Sequence, residues 1–171
     1  MPRIAPDQIG GRNVAAFLDM LAVSEGTDIP RQPSNDDGYD VLVGGGLFTD
    51  YTDHPRKLVR LSATLSSTAA GRYQLLKRTW DEVDAALNLP DFGPESQDRA
   101  CVFLLKRRKA FALIQLGRFD EAVEACRKEW ASLPGADYGQ HEQDIGKLRA
   151  AYVAAGGEVF QCKTPKGWAE A

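Results

Sequence analysis

The sequence has little of what marks exported, membrane-spanning or disulfide-bonded proteins. Residues 1–11 lack the apolar core of a signal peptide. No run approaches the roughly 20 apolar residues of a membrane span. The three cysteines, Cys101, Cys126 and Cys162, are odd in number, widely spaced and outside any CxxC pair. We therefore expect no disulfide framework, no zinc site, no export or anchoring signal and no stable insertion into a membrane.

Charge and histidine content exclude further classes. The net charge is −3, and the basic residues form one short run at 106–109, typical of the polar end of a helix. Nucleic acid is therefore not an expected partner. His54 and His141 lack metal-ligand spacing, and no Gly-Lys-Ser/Thr follows the glycines at 44–46. We expect no metal and no cofactor.

The patterns that are present predict one mostly helical domain within the 171 residues. Apolar residues at helical spacing predict helices at about 14–25 with Asn13 as N-cap, 73–87, from Pro94, 111–116, from Phe119 through Trp130, and through 145–152. Glycines among β-forming residues predict a small hairpin over 38–48. Turn-forming residues predict long loops at 49–67 and 133–140. The fold class is α+β.

One carboxylate stands out by its position. At about 100° per residue, Glu25 falls near the middle of the apolar stripe that Val14, Phe17, Leu18 and Leu21 form. Burial raises the pKa of a carboxyl group, and the negative end of the helix dipole acts in the same direction. The pattern predicts a glutamic acid that keeps its proton near neutral pH, as a general acid for glycosidic cleavage must.

Two structural interpretations of the same residue remain open. Glu25 is either exposed by fraying of the helix end or paired with an arginine such as Arg31 or Arg72. In both cases the carboxyl group is ionised at neutral pH and has no catalytic role.

The aromatic residues divide into two groups. Trp80 and Trp130 lie on apolar helical stripes, which favours the core over a sugar-binding platform. Tyr51 and Tyr138 lie in predicted loops, where their faces are suitable contacts for the apolar faces of sugar rings.

Several segments, taken in order, resemble the lambda-type phage endolysins, which are lytic transglycosylases. They are FLDMLA (17–22), SEGTD (24–28), GYDV (38–41), LFTDY (47–51), DHPRKL (53–58), AGRYQLL (70–76) and WASLPG (130–135). The likeness spans about residues 17–157. It implies a lysozyme-like catalytic domain at 14–157 between an N-terminal extension (1–13) and a C-terminal tail (158–171).

The resemblance also implies roles for individual residues. Glu25 matches the catalytic glutamate. Tyr138 matches a substrate-contacting tyrosine in the lower lip of the cleft, and Gly71, Tyr73 and Gln74 match a Gly-x-Tyr-Gln element. The loops at about 57–66 and 133–140 correspond to the upper and lower lips. The further candidates for substrate binding are Asp40, Tyr51, Ser132 and Gln140.

The expected reaction cleaves the β-1,4 bond between N-acetylmuramic acid and N-acetylglucosamine in peptidoglycan. With Glu25 as the sole acid and base, the C6 hydroxyl of the muramoyl sugar closes a 1,6-anhydro ring. One alternative is a lysozyme-type hydrolase that needs a second carboxylate; Asp40 is the first candidate, although bonding to the nearby backbone explains it better. Another alternative is a non-catalytic wall-binding module.

The resemblance implies a place of action and partners as well. We expect a monomer that accumulates in the host bacterial cytoplasm and acts on glycan strands at the periplasmic wall. A holin-type membrane protein would release it.

Overall fold

The computed structural model describes residues 1–136 and 142–160. Its helices are α1 (Pro6–Ile9), α2 (Arg12–Ser24), α3 (Lys77–Leu87), α4 (Pro94–Arg107), α5 (Phe111–Gln115), α6 (Phe119–Cys126) and α7 (Ile145–Ala154). The strands β1 (Val59–Arg60) and β2 (Ser66–Ser67) form a two-stranded antiparallel sheet. The predicted α+β class is confirmed. Within these residues, no helix combines the length and apolar character needed to cross a membrane.

The core surrounds α2. This helix is apolar on nearly all sides, and its buried residues include Val14, Phe17, Leu18 and Leu21, as expected for a helix enclosed by other elements. It packs against α1, α5 and α7. Trp80 and Trp130 are both buried, which confirms their prediction as core residues. The end of α2 is thereby held rigidly by the rest of the protein.

The β structure lies elsewhere than predicted. Residues 38–48 form a tight turn with a single bridge, Val41 to Leu47, because Gly44 and Gly45 both adopt positive φ and reverse the chain at once. The strand pair lies instead inside the predicted loop 49–67, with Val59 opposite Ser67 and Arg60 opposite Ser66. The prediction of a hairpin at 38–48 and a plain loop at 49–67 was therefore wrong in position.

Two helix boundaries also differ from the prediction. α3 begins at Lys77 rather than at 73, because Gly71 and Gln74 adopt positive φ and hold residues 71–75 in a turn. α6 ends at Cys126, so Trp130 is buried beyond the helix.

Asn13 does not cap α2. Gly11 occupies the N-cap position, and no side chain caps the helix there. The Asn13 side chain instead accepts a hydrogen bond from the backbone N–H of Glu158 at 2.9 Å. It thus connects the start of α2 to the segment after α7.

The N-terminal residues are anchored in the main core. The backbone N–H groups of Arg3 and Ile4 donate to the buried Asp98 carboxylate at 2.7 and 3.0 Å. The hydroxyls of Tyr39 and Tyr73 donate to the same carboxylate at 2.7 and 2.6 Å. One carboxylate of α4 therefore joins the N-terminus to the segments that precede α3.

Candidate active site

Glu25 directly follows the last residue of α2. Its backbone N–H donates to the carbonyl of Leu21 at 2.8 Å, which completes the final helical turn. Gly26 then adopts φ +71° and turns the chain away. Thr27 fixes this turn, since its buried hydroxyl donates to the carbonyl of Arg72 at 2.6 Å. The carboxyl group is thus carried by a well-supported helix end.

The Glu25 side chain lines a cleft of about 310 Å³. We call this cavity the Glu25 cleft. Its other lining residues are Val43, Leu61, Leu65, Ser66, Ser67, Ala69, Gln74, Leu76, Glu129, Trp130 and Ala131. Four of these, Leu61, Leu65, Ser66 and Ser67, belong to the β1–β2 hairpin. The hairpin and the segment that follows α6 therefore both contribute to the cleft wall.

The surroundings of Glu25 favour its protonated form. Burial raises its pKa from the ordinary value of 4.5 to about 7, against the opposing effect of a hydrogen bond from Ser132. The Ser132 hydroxyl donates to Glu25 Oε1 at 2.6 Å. Desolvation outweighs this bond because a buried carboxylate loses the hydration of its full charge. Near neutral pH, Glu25 therefore exists in both protonation states, as an acid that later acts as a base requires.

Arg72 is not a partner of Glu25. Its fully buried guanidinium donates to Asp19 and Asp28, both at 2.8 Å, and to the carbonyl of Asp37. Arg31 forms no ion pair among residues 1–136 and 142–160, and it lines a separate groove beside Gly26. The interpretation of Glu25 as one half of an arginine pair was therefore wrong.

A second carboxylate in the Glu25 cleft belongs to Glu129. Two arginines hold it, with Arg107 Nη2 at 2.8 Å and Arg108 Nε at 2.6 Å, and its side chain is only 6% exposed. Two cations stabilise the ionised carboxylate and occupy its oxygens. Glu129 is thus a structural anion in the cleft wall. Sequence analysis missed it because its arginines, the last residue of α4 and the residue after it, lie 22 and 21 residues away.

Asp40 does not line the Glu25 cleft. It is buried, and it accepts hydrogen bonds from the Ser34 hydroxyl and from the backbone N–H of Asn35, the latter at 2.9 Å. This geometry matches the expectation that Asp40 orders its own loop.

The candidate substrate-binding residues do not all face the cleft. Gln74 does, and its Nε2 donates to the carbonyl of Gly71 at 3.0 Å. Ser132 contacts Glu25 itself. Tyr51 lies apart from the lining, with its hydroxyl donating to Asp36 at 2.9 Å. Tyr138 and Gln140 lie outside the described residues.

Tyr73 and Gly71, both expected to bind substrate, have structural roles instead. The Tyr73 ring is fully buried and its backbone carbonyl accepts from Trp130 Nε1 at 3.0 Å, so the ring supports the cleft wall instead of facing sugar. Gly71 has no side chain to offer and approaches Gln97 closely. The Gly-x-Tyr-Gln element therefore places Gln74 in the cleft from a rigid turn.

Sequence analysis also missed the hairpin side chains Leu61, Leu65, Ser66 and Ser67 as individual lining residues. The resemblance had marked 57–66 only as an upper lip. Two exposed leucines at a hairpin tip are a signal for a binding surface, since Leu61 and Leu65 are each 41% exposed. In the described part of the chain, no three His, Cys, Asp or Glu side chains are grouped as a metal site would need.

Comparison with known proteins agrees with this geometry. The Endolysin family model matches residues 15–159. The chain is 55% identical to the endolysin of Escherichia phage lambda over 144 residues, covering 84% of this chain and 91% of the relative. It is 47% identical to the endolysin of Escherichia phage P2 over 156 residues, covering 85% and 94%.

Solved structures give the same answer for the fold. The bacteriophage lambda lysozyme complexed with a chitohexasaccharide superposes with a TM-score of 0.86 and 51% identity, covering 94% of this chain and 100% of that one. A second structure of the lysozyme from bacteriophage lambda gives 0.82 and 49%, with the same coverage. With most of its length matched by family model, sequence and structure alike, this chain belongs to the Endolysin family.

Proposed function

We propose that this chain is a lytic transglycosylase that cleaves the β-1,4 bond between N-acetylmuramic acid and N-acetylglucosamine in peptidoglycan. The observation that carries the proposal is the contrast between two carboxylates in one cleft. Burial leaves Glu25 with a pKa of about 7, whereas Glu129 is held by two arginines. Among the described residues, the cleft is thus lined by one carboxyl group whose pKa is raised to about 7 and by one that two arginines hold.

A transglycosylase needs only that one group. Glu25 donates its proton to the glycosidic oxygen, the bond to C1 of the muramoyl sugar breaks, and N-acetylglucosamine leaves with a free hydroxyl. The Glu25 carboxylate then takes the proton of the C6 hydroxyl as its oxygen bonds to C1, which closes the 1,6-anhydro ring and restores the acid. The tethered hydroxyl has a proximity advantage that free water lacks.

The shape of the cleft supports a glycan substrate. Its lining includes the apolar Leu61 and Leu65 together with the polar Gln74 and Glu25. Apolar surface and hydrogen-bonding groups together suit the two kinds of surface that a sugar ring presents. A relative with the same fold has been solved with a chitohexasaccharide, which supports an oligosaccharide in the corresponding cleft here.

The competing function is a lysozyme-type hydrolase. It requires a second carboxylate as nucleophile or as base for water. Asp40 is engaged with its own loop and Glu129 with two arginines. Neither is free for this role without rearrangement.

Product analysis decides between the two reactions. We expect mass spectrometry of digested peptidoglycan to show muramic ends that are one water lighter than hydrated reducing ends. A commercial muramidase on the same walls is the matched control for hydrated ends. Detection of hydrated ends alone would assign the chain to the hydrolases and make Asp40→Asn the next variant to test.

The pH dependence of kcat/KM is a second expected result. Because Glu25 must start protonated, kcat/KM is highest below its pKa of about 7. Above that pH, kcat/KM falls about tenfold per unit. Initial rates measured from pH 5 to pH 9 on purified glycan check this. A rate that stays flat through this range would contradict a role for Glu25 as the acid.

The remaining expectations concern the setting of the reaction. We propose that the chain acts as a monomer on the periplasmic wall after accumulating in the host cytoplasm, with release by a holin-type protein. A non-catalytic wall-binding module would be indicated only if replacement of Glu25 left lysis unchanged.

A further inference from the structure

Two serines form a hydrogen-bonded chain that ends on the Glu25 carboxyl group. The Ser132 hydroxyl donates to Glu25 Oε1 at 2.6 Å, and its oxygen lies 2.7 Å from the oxygen of Ser24. Ser24 is buried in the last turn of α2 and is only 3% exposed. Ser132 thus contacts one oxygen of the carboxyl group, and Ser24 contacts Ser132.

Which hydroxyl donates to which follows from the number of protons that each serine can donate. A serine hydroxyl has one proton to donate and two lone pairs to accept. Since Ser132 uses its proton on Glu25, its contact with Ser24 must be one in which Ser24 donates. The order is therefore Ser24 to Ser132 to Glu25.

The two serines are held at this distance by the backbone. The N–H of Gln143 donates to the carbonyl of Ser132 at 2.8 Å, and its side-chain Nε2 donates to the carbonyl of Ser24 at 3.3 Å. Gln143, two residues before α7, therefore connects the end of α2 to the segment after α6. It holds the backbone carbonyls of both serines, and it does not line the Glu25 cleft.

We infer that Ser132, oriented by Ser24, is a positioning residue that keeps the acidic proton of Glu25 on Oε2. An oxygen that accepts a hydrogen bond from Ser132 is disfavoured as the protonated one, so the proton resides on the other oxygen. Within residues 1–136 and 142–160, no hydrogen bond to Oε2 is found, and the inference assigns this oxygen to the glycosidic bond. The inference rests on the proposed function, because it assigns a role within that reaction.

The same bond assists the second half of the reaction. Once Glu25 has lost its proton, Ser132 stabilises the carboxylate by a charge-assisted hydrogen bond. In agreement with this, the Ser132 contact lowers the pKa of Glu25 and partly offsets the effect of burial. Ser132 therefore limits how far the pKa of Glu25 rises and leaves the acidic proton on Oε2.

Charged groups near the Ser24–Ser132–Glu25 hydrogen bonds either pair with other residues or line a different groove. Glu129, three residues before Ser132, is held by Arg107 and Arg108. Arg72 is held by Asp19 and Asp28. From the side of α7, Lys147 lines the neighbouring groove together with Arg31. Replacing either serine leaves all of these charges in place.

The test compares the pH dependence of kcat and KM for Ser132→Ala, Ser24→Ala and the double variant. We expect Ser132→Ala to lower kcat on the order of tenfold at nearly constant KM. This loss corresponds to the low end of what a hydrogen bond to a charged group contributes. On the alkaline side of its pH profile, kcat should begin to fall at a higher pH than in the parent, because the Ser132 bond that lowers the pKa of Glu25 is gone. Ser24→Ala should show smaller changes in the same direction, and the double variant should equal Ser132→Ala, since Ser24 acts through Ser132.

Two further variants serve as references. Ser132→Thr keeps the hydroxyl and should retain the wild-type pH limb. Ser96→Ala removes another buried serine, whose hydroxyl donates to Asp91 at 2.8 Å. Neither residue lines the Glu25 cleft, so this variant should leave the kinetics unchanged. Thermal unfolding of each variant separates loss of fold from loss of positioning.

Several results would overturn the inference. An unchanged kcat and pH limb in Ser132→Ala, a rise in KM alone, or a Ser24→Ala effect that persists without Ser132 would each do so. Failure of the proposed function gives a different pattern. In that case Glu25→Gln keeps its activity whatever the serine variants show, or the products carry only hydrated ends.

Discussion

Replacement of Glu25 by glutamine is expected to lower the rate of glycan cleavage by a factor on the order of 10³ or more. Glutamine has nearly the same shape but no proton of suitable acidity. The variant therefore loses the acid in the first step and the base in the second, while the Ser132 hydrogen bond to Oε1 is still available. Cleavage of purified peptidoglycan and lysis of permeabilised cells measure the effect.

The same variant should be more stable than the parent at alkaline pH. Below pH 4.5 Glu25 is protonated in both the folded and the unfolded chain, so its raised pKa makes no difference to stability. Between pH 4.5 and about 7 the unfolded chain ionises while the folded one keeps its proton, so the free energy of unfolding falls as pH rises. At pH 8 glutamine removes this cost, which is up to about 3 kcal/mol.

The matched control is Glu121→Gln. Glu121 is an exposed glutamate on α6 that pairs with Arg118 at the surface. We expect it to leave cleavage and lysis unchanged. If Glu25→Gln retained lytic activity close to that of this control, the chain would be a wall-binding module and the proposed mechanism would be wrong.

The largest loss of stability is expected from Gly71→Ala. Gly71 adopts φ +79°, and an added Cβ would lie 2.2 Å from Oε1 of Gln97. Gln97 has no room to move aside, because it is fully buried and bonds to the backbone of Arg72, Tyr39 and Phe92. Left-handed strain together with overpacking should lower the free energy of unfolding by about 2–5 kcal/mol.

Gly44→Ala separates the two causes. Gly44 has a similar φ of +84°, but it is exposed and an added Cβ would meet its neighbours at 3.4 Å or more. Only the backbone strain applies there, so we expect a loss of about 1–2 kcal/mol. Thermal and urea unfolding of both variants give the comparison. Equal losses would show that the contact with Gln97 is not what requires glycine at 71.

Local patterns predicted the helices well and the sheet poorly. α4 starts at Pro94 as expected, because a first-turn proline and apolar periodicity are properties of consecutive residues. The hairpin at 59–67 has strands of only two residues each, which is too short to leave an alternating pattern. The glycine-rich segment 38–48 carries a stronger turn signal, yet it forms only one bridge within itself, Val41 to Leu47, and one to Ala70.

In the candidate site, too, local patterns predicted some residues and not others. The helical periodicity of α2 and the resemblance both pointed to Glu25. The sequence favours a role for Asp40 in its own loop, and the hydrogen bond from Asn35 agrees with that prediction. The roles of Ser24 and Glu129 had no counterpart in any local pattern.

The sequence by itself determined where an acidic residue follows an apolar helix, that the domain is mostly helical, and which family it resembles. These depend on the order of neighbouring residues. Only the tertiary structure decided that Glu25 bonds to Ser132, 107 residues away, that Arg72 binds Asp19 and Asp28 instead, and that two arginines hold Glu129. The physical reason is that the proton affinity of a carboxyl group depends on the groups and the solvent around it, and these come from packing between distant segments.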